Sequence, residues 1–196
     1  MEYRIERDTM GEVKVPSDKL WGAQTQRSSM NFKVGRHMPV EIIRAFAYLK
    51  NAAACANMEI GKLAPEKASY IMIICDQILN GELDDQFPLV VYQTGIGTQT
   101  NMNVNEVIAG RAREMAGMAV LHPNDDVNMS QSSNDTFPTA MSIAAVFVME
   151  DRVLPALSQM IETLKGLEEK YMNVIKTGRT HLQDAVPMTF GQEVSG

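Results

Sequence analysis

Three polar stretches of the chain carry side chains able to hold an anion or move a proton. The first, residues 93–103, reads Gln93-Thr94-Gly95-Ile96-Gly97-Thr98-Gln99-Thr100-Asn101-Met102-Asn103 and leads into a helical pattern. Its glycines let backbone approach a ligand closely, and the free N–H groups of the following helix lie at the positive end of its dipole. Thr98, Thr100 and Asn101 add side-chain donors. The same residue types also serve as ordinary helix caps, so this segment alone admits both readings. The second stretch, residues 122–135, holds His122-Pro123-Asn124-Asp125 and Ser130-Gln131-Ser132-Ser133-Asn134-Asp135. Ser132, Ser133 and Asn134 suit a helix cap, and they equally suit a carboxylate bound at the same helix end. His122 and Asp125 are two candidate metal ligands without a third, which favours a structural histidine and predicts no metal. The third stretch, residues 178–187, gathers Arg179, Thr180, His181, Gln183 and Asp184 before Pro187. Histidine titrates near neutral pH, which makes His181 the best acid/base candidate of the three histidines. His37, beside Met38-Pro39, has no comparable neighbours.

These segments must be positioned by helices. The first forty residues read as irregular, with a short strand at 11–16 stopped by Pro16. Beyond Pro39, Ile42, Ile43, Phe46, Leu49 and Ala53 recur at helical spacing, and Gly61 is a stop signal. A second helix starts at Pro65 and ends at Asn80-Gly81; a third runs from about Asn101 to Gly117. From Pro138 to Ile175 the pattern stays helical over roughly 55 Å, with a kink predicted at Pro155. Its apolar positions, among them Ile143, Val146, Phe147, Leu154, Leu157, Ile161 and Leu164, call for helical partners. Pro187 reads as the start of another helix. The expected fold is therefore mainly α: an N-terminal helical domain over 1–133, then the first long helix of a truncated central helix bundle over 134–196.

Composition narrows the function. Of 196 residues, 18 are Lys or Arg and 24 are Asp or Glu, a net charge of −6 without any basic cluster. That argues against nucleic acid as a partner and requires any anion site to be built locally. The N-terminus has no apolar core of signal-peptide length, and no apolar run is long enough for a membrane span. A cytoplasmic location follows as the default. Cys55 and Cys75, without a CxxC pair, read as buried free thiols of a reducing compartment. Most of the fifteen methionines lie at helical spacing and read as core filler.

Taken together, Gly22-Ala23-Gln24-Thr25-Gln26-Arg27-Ser28, Gly97-Thr98-Gln99-Thr100-Asn101-Met102-Asn103, the two blocks of residues 122–135 and Gly178-Arg179-Thr180-His181-Leu182-Gln183-Asp184 resemble class II fumarase, in that family's order and spacing. The resemblance runs from about Asp8 to Gly196. It implies a cofactor-free hydro-lyase interconverting fumarate and L-malate. It also implies a homotetramer with long central helices and active sites assembled from three subunits. By motif, Thr98, Asn101, Ser132, Ser133 and Asn134 would bind substrate. Thr180 and His181 would be catalytic, with His181 acting on the water added or lost. His122, Asn124 and Asp125 would form a secondary anion site near the entrance.

Some features depart from the pattern. Ile96 stands where the family usually has a serine, removing a hydroxyl donor and predicting weaker binding or an altered pose. Ala119 stands where a basic residue is expected, which weakens the secondary site. The family's serine base, with the Lys and Asn after it and the Glu that partners the histidine, would fall beyond Gly196, so the chain alone is expected to be inactive. Aspartase shares the Gly-rich loop and the His-Pro-Asn-Asp block, but it typically has Gln at the position of His181 and lacks the 22–28 block. An alternative of another class is a non-catalytic helical oligomerisation or scaffold module.

Overall fold

The structure, a computed structural model, describes residues 2–196. The chain is mainly α-helical, with seven α-helices and two short antiparallel hairpins among the described residues. It divides into two compact units, Met1–Ala145 and Val146–Gly196.

The first unit opens with strands β1 (Tyr3–Asp8) and β2 (Gly11–Pro16), paired from Tyr3↔Pro16 to Asp8↔Gly11. Helix α1 (Ala23–Asn31) follows, and its Arg27 grips Asp8 with Nε and Nη2 at 2.9 and 3.0 Å. The hydrogen bonds from Arg27 hold the Asp8 carboxyl below its usual pKa despite an opposing cost of burial. Residues expected to be irregular thus form a strand and a helix besides the predicted strand. Neither carries a strong pattern: β1 (YRIERD) ends in three charged residues, and α1 (AQTQRSSMN) has no apolar stripe. What organises α1 comes from elsewhere in the chain, as described below.

Helices α2 (Val40–Glu59) and α3 (Pro65–Leu79) lie where the spacing predicts them and pack against each other. Gly61, with φ +74°, follows α2, and Pro65 opens α3. A 3-10 turn at Asp84–Gln86 leads toward α4 (Thr98–Ala116), which begins three residues earlier than expected. Helix α4 is the centre of this unit: Thr100 to Gly110 are all buried, and α1, α2, α3 and the wide turn Pro123–Val127 pack around it. Gly110 lets the segment before α1 approach closely, because a Cβ there would lie 2.0 Å from the Leu20 carbonyl oxygen. Ile43, Phe46, Ile71, Ile74, Ile78, Val104, Val107 and Ile108 form the core at 2% exposure or less. Burying side chains of this size contributes roughly 1.5–3 kcal/mol each.

Helix α5 (Ser133–Val148) runs across the division between the units. The second unit continues through a wide turn at Met149–Val153 into α6 (Leu154–Tyr171). The irregularity expected at Pro155 lies just before it; Pro155 itself sits in the first turn of α6, where a missing N–H costs nothing. Strands β3 (Ile175–Thr180) and β4 (Gln183–Thr189) then form a hairpin, and α7 (Phe190–Ser195) closes the chain. Pro187 does not start a helix. It pairs with Thr177 inside β4, where both strands are edges and a residue without an N–H is tolerated. The helix starts three residues on, behind a capping box of Thr189 and Gln192. Among the described residues, no helix is long and apolar enough to cross a membrane.

Candidate functional site

Helix α4 begins at Thr98 after Gly97, whose φ of +70° places it in the left-handed region. A Cβ at Gly97 would fall 2.2 Å from the Phe137 ring of α5, so glycine is needed both for conformation and for space. Gln93 Oε1 accepts from the Thr100 N–H at 3.0 Å and from its hydroxyl at 3.1 Å, and the Thr94 hydroxyl donates to Gln99 Oε1. The loop therefore folds back on the helix start. Thr98 is half-buried there, and Ile96 is 57% exposed at the loop's tip.

Helix α5 begins at Ser133. Ser132 caps it, its hydroxyl accepting from the Asn134 N–H at 3.3 Å and its carbonyl from Asp135 and Thr136. Ser132 and Asn134 are exposed, and Ser133 is half-buried. The starts of α4 and α5 are directly joined: the Asn101 side-chain amide donates to Ser133 Oγ at 3.1 Å and to Asn128 Oδ1 at 3.0 Å. Asn101 is wholly buried, so it ties the two segments together from beneath. The first turn of each helix has N–H groups without intrahelical partners and carries the positive end of the dipole. Two anion-favouring helix ends thus meet in one place, bordered by Thr98, Ser132, Ser133 and Asn134.

Beneath them lies a polar network that the sequence reading missed. Lys50 of α2 is 0% exposed. Its amine donates to Asn128 Oδ1 at 3.0 Å and to Gln131 Oε1 at 2.8 Å, both uncharged acceptors. Burial pulls the Lys50 pKa from 10.5 down to about 7. Nearby Cys75 is pushed up to about 12, chiefly by burial, and is an inert thiol. Glu106 of α4 is a second buried ionisable group. Its carboxylate accepts from the backbone N–H groups of Gly22, Gln24 and Thr25 at 2.9–3.0 Å, capping α1 from another helix. Desolvation raises its pKa against the pull of those hydrogen bonds.

His122, Asn124 and Asp125 lie on the wide turn Pro123–Val127 and its flank. The Asp125 N–H donates to His122 Nδ1 at 3.1 Å, and the buried Asp126 holds the turn through the His122 N–H and Lys67. His122 and Asn124 border a cavity of about 340 Å³ also lined by Glu6, Glu106, Arg113 and Ala119. The Arg113 guanidinium pairs with Glu6 at 3.2 Å on the cavity wall.

Thr180 and His181 belong to the second unit, at the tip of the β3–β4 hairpin. Both are exposed, and Thr180 pairs with Gln183 across a two-residue turn. His181 and Leu182 have φ of +49° and +64°, the left-handed pair that a type I′ turn requires. Such a conformation is strained for side chains this large, and strain of this kind concentrates at functional positions.

Known proteins resemble this chain closely. A family model described as lyase matches residues 11–196. The class II fumarate hydratase of Bacillus subtilis (strain 168) is 59% identical over 201 residues, taking in 100% of this chain and 44% of that protein. That of Listeria monocytogenes is 60% identical over 194 residues, 98% of this chain and 43% of that protein. Among solved structures, the recombinant class II fumarase from Schistosoma mansoni has a TM-score of 0.93 at 45% identity, covering 99% of this chain and 42% of its own. The fumarate lyase:delta crystallin from Brucella melitensis in native form has a TM-score of 0.91 at 43% identity, covering 97% and 45%. The chain therefore spans less than half the length of these relatives.

Proposed function

The chain belongs to the lyase family whose model its residues 11–196 match, and we propose that the full-length product of its gene is a fumarate hydratase, adding water reversibly to fumarate to give L-malate. The observation that carries this reading is the Asn101–Ser133 hydrogen bond, which brings the first turns of α4 and α5 together. Fumarate is a short dianion with a carboxylate at each end, and two converging helix starts suit it. Proton removal beside a carboxylate builds negative charge on that carboxylate. Preorganised donors aimed at its oxygens each lower the barrier by about 3 kcal/mol. Thr98 is assigned to one carboxylate and Ser132, Ser133 and Asn134 to the other, with Asn101 holding the two sets in register.

His181 acts on the water that is added or lost, and Thr180 accompanies it at the hairpin tip. The proton-abstracting base lies outside these 196 residues on this reading, so the chain by itself turns over no substrate. His122, Asn124 and Asp125 form a secondary anion site, weakened by Ala119 on the cavity beside it. The apolar stripe of α6, none of it buried, is the assembly surface of a homotetramer.

The reading is tested by following fumarate absorbance in the ultraviolet with the full-length gene product, with and without ammonium. Loss of absorbance without ammonium supports a hydratase and shows that Ile96 is tolerated. Loss only with ammonium assigns an aspartase-type reaction instead. No loss in either case favours a non-catalytic helical scaffold.

A further inference from the structure

We propose that Lys50 is a positioning residue for the substrate-binding segment: by holding the side-chain oxygens of Asn128 and Gln131, its amine fixes where Ser132, Ser133 and Asn134 present their donors. The consequence for substrate rests on the hydratase reading; the positioning itself does not. Beside Lys50, α2 holds the segment through Asn57, whose side-chain amide donates to the Met129 carbonyl at 3.0 Å. Asn128 Nδ2 donates to the Gln131 carbonyl at 3.1 Å, and Gln131 Nε2 donates to the carbonyls of Val127 and Met129 at 3.0 and 3.1 Å. The two amides thus lock the loop upon itself, and both turn their oxygens to the Lys50 amine. Asn128 Oδ1 also receives Asn101, which continues to Ser133 Oγ. A line of hydrogen bonds therefore runs from α2 through the loop and α4 to the first residue of α5.

The chemistry of the amine fits this role. An uncharged amine has two N–H donors, and two amide oxygens face it, whereas an ammonium would bring a third donor. Burial favours the uncharged form. No other side chain in this network reaches both amides: removing the amine leaves Gln131 Oε1 without a side-chain donor, while Asn128 Oδ1 keeps those of Asn101 and Asn105. An acceptor left unmet beneath the segment is costly, and the loop relieves that cost by moving.

The test uses the full-length product carrying Lys50→Met, which keeps the shape and removes both donors. Amide hydrogen exchange across residues 127–136 should quicken about tenfold, with exchange in β1–β2 unchanged. With fumarate, KM should rise about tenfold while kcat changes less than about twofold. Lys50→Gln, which keeps an amide donor, should recover part of both effects, and it carries the test if Lys50→Met does not fold. Ile71→Ala, a core change away from the segment, should lower thermal stability without moving KM. Unchanged exchange in 127–136 overturns the positioning role whether or not the protein is a hydratase. Faster exchange with unchanged KM, in an active enzyme, overturns its consequence for substrate. An inactive wild type sinks the hydratase reading alone, and the exchange measurement still decides the role of Lys50.

Discussion

Lys50 lies four residues after Phe46 and four before Ala54, on the buried stripe of α2, where Asn57 is the other polar residue. An amine in that place ties stability to pH, and the direction can be worked out. Unfolded, it holds its proton up to about 10.5; folded, it releases it near 7. Between these values the unfolded chain binds more protons, so stability rises with pH by at most about 1.4 kcal/mol per unit. Cys75 acts oppositely, but only above its ordinary value of 9.0, because its folded value is higher. The urea midpoint should therefore climb between pH 7 and 9, and Lys50→Met should flatten that climb. A wild-type midpoint that stays level over this range would show that the amine remains protonated inside the fold. The sequence reading singled out Thr98, Ser132, Ser133 and Asn134 because small donors before a helix have a recognisable order. It passed over Lys50 because a periodicity that counts apolar residues has no way to register a charged one in their midst. Three-dimensional partners were needed to reveal it, and the same holds for Glu106.

At the scale of elements, the register of α4 against α5 depends on the absence of one methyl group. Gly97→Ala would put a non-glycine residue at φ +70° and a Cβ within 2.2 Å of the Phe137 ring, itself packed against Phe46 at 6.1 Å between centroids. The left-handed conformation costs about 1–2 kcal/mol and the overlap about 1–3 kcal/mol more. A loss of about 2–5 kcal/mol in urea unfolding is expected; a loss under about 0.5 kcal/mol would mean that Phe137 swings aside freely. Helices α2 and α3 were legible to within two residues because Pro65, Gly61 and Gly81 punctuate strong stripes. Pro187 misled for a physical reason: proline opens helices and also sits in edge strands, and only the pairing with Thr177 distinguishes the two.

For the whole molecule, the long helical pattern was legible in the sequence, and its apolar positions led to the expectation of helical partners. In α6, Leu154, Leu157, Met160, Ile161 and Leu164 are 40–52% exposed, and no residue of that helix is buried. A continuous apolar stripe of this kind marks an association surface. Light scattering should therefore find the chain in species larger than a monomer, and a Leu157→Glu, Ile161→Glu double variant should shift it toward the monomer. A monodisperse wild-type monomer would sink the assembly reading.

The reach of Glu106 governs the order of events as the first unit folds. Helix α1 has nine residues and no capping side chain of its own, too short to persist alone. The acceptor for its leading N–H groups arrives from a residue 81–84 positions along the chain. Helix α1, unlike the local β1–β2 hairpin before it, is therefore expected to gain hydrogen-exchange protection only once α4 is in place, which pulsed labelling during refolding would check.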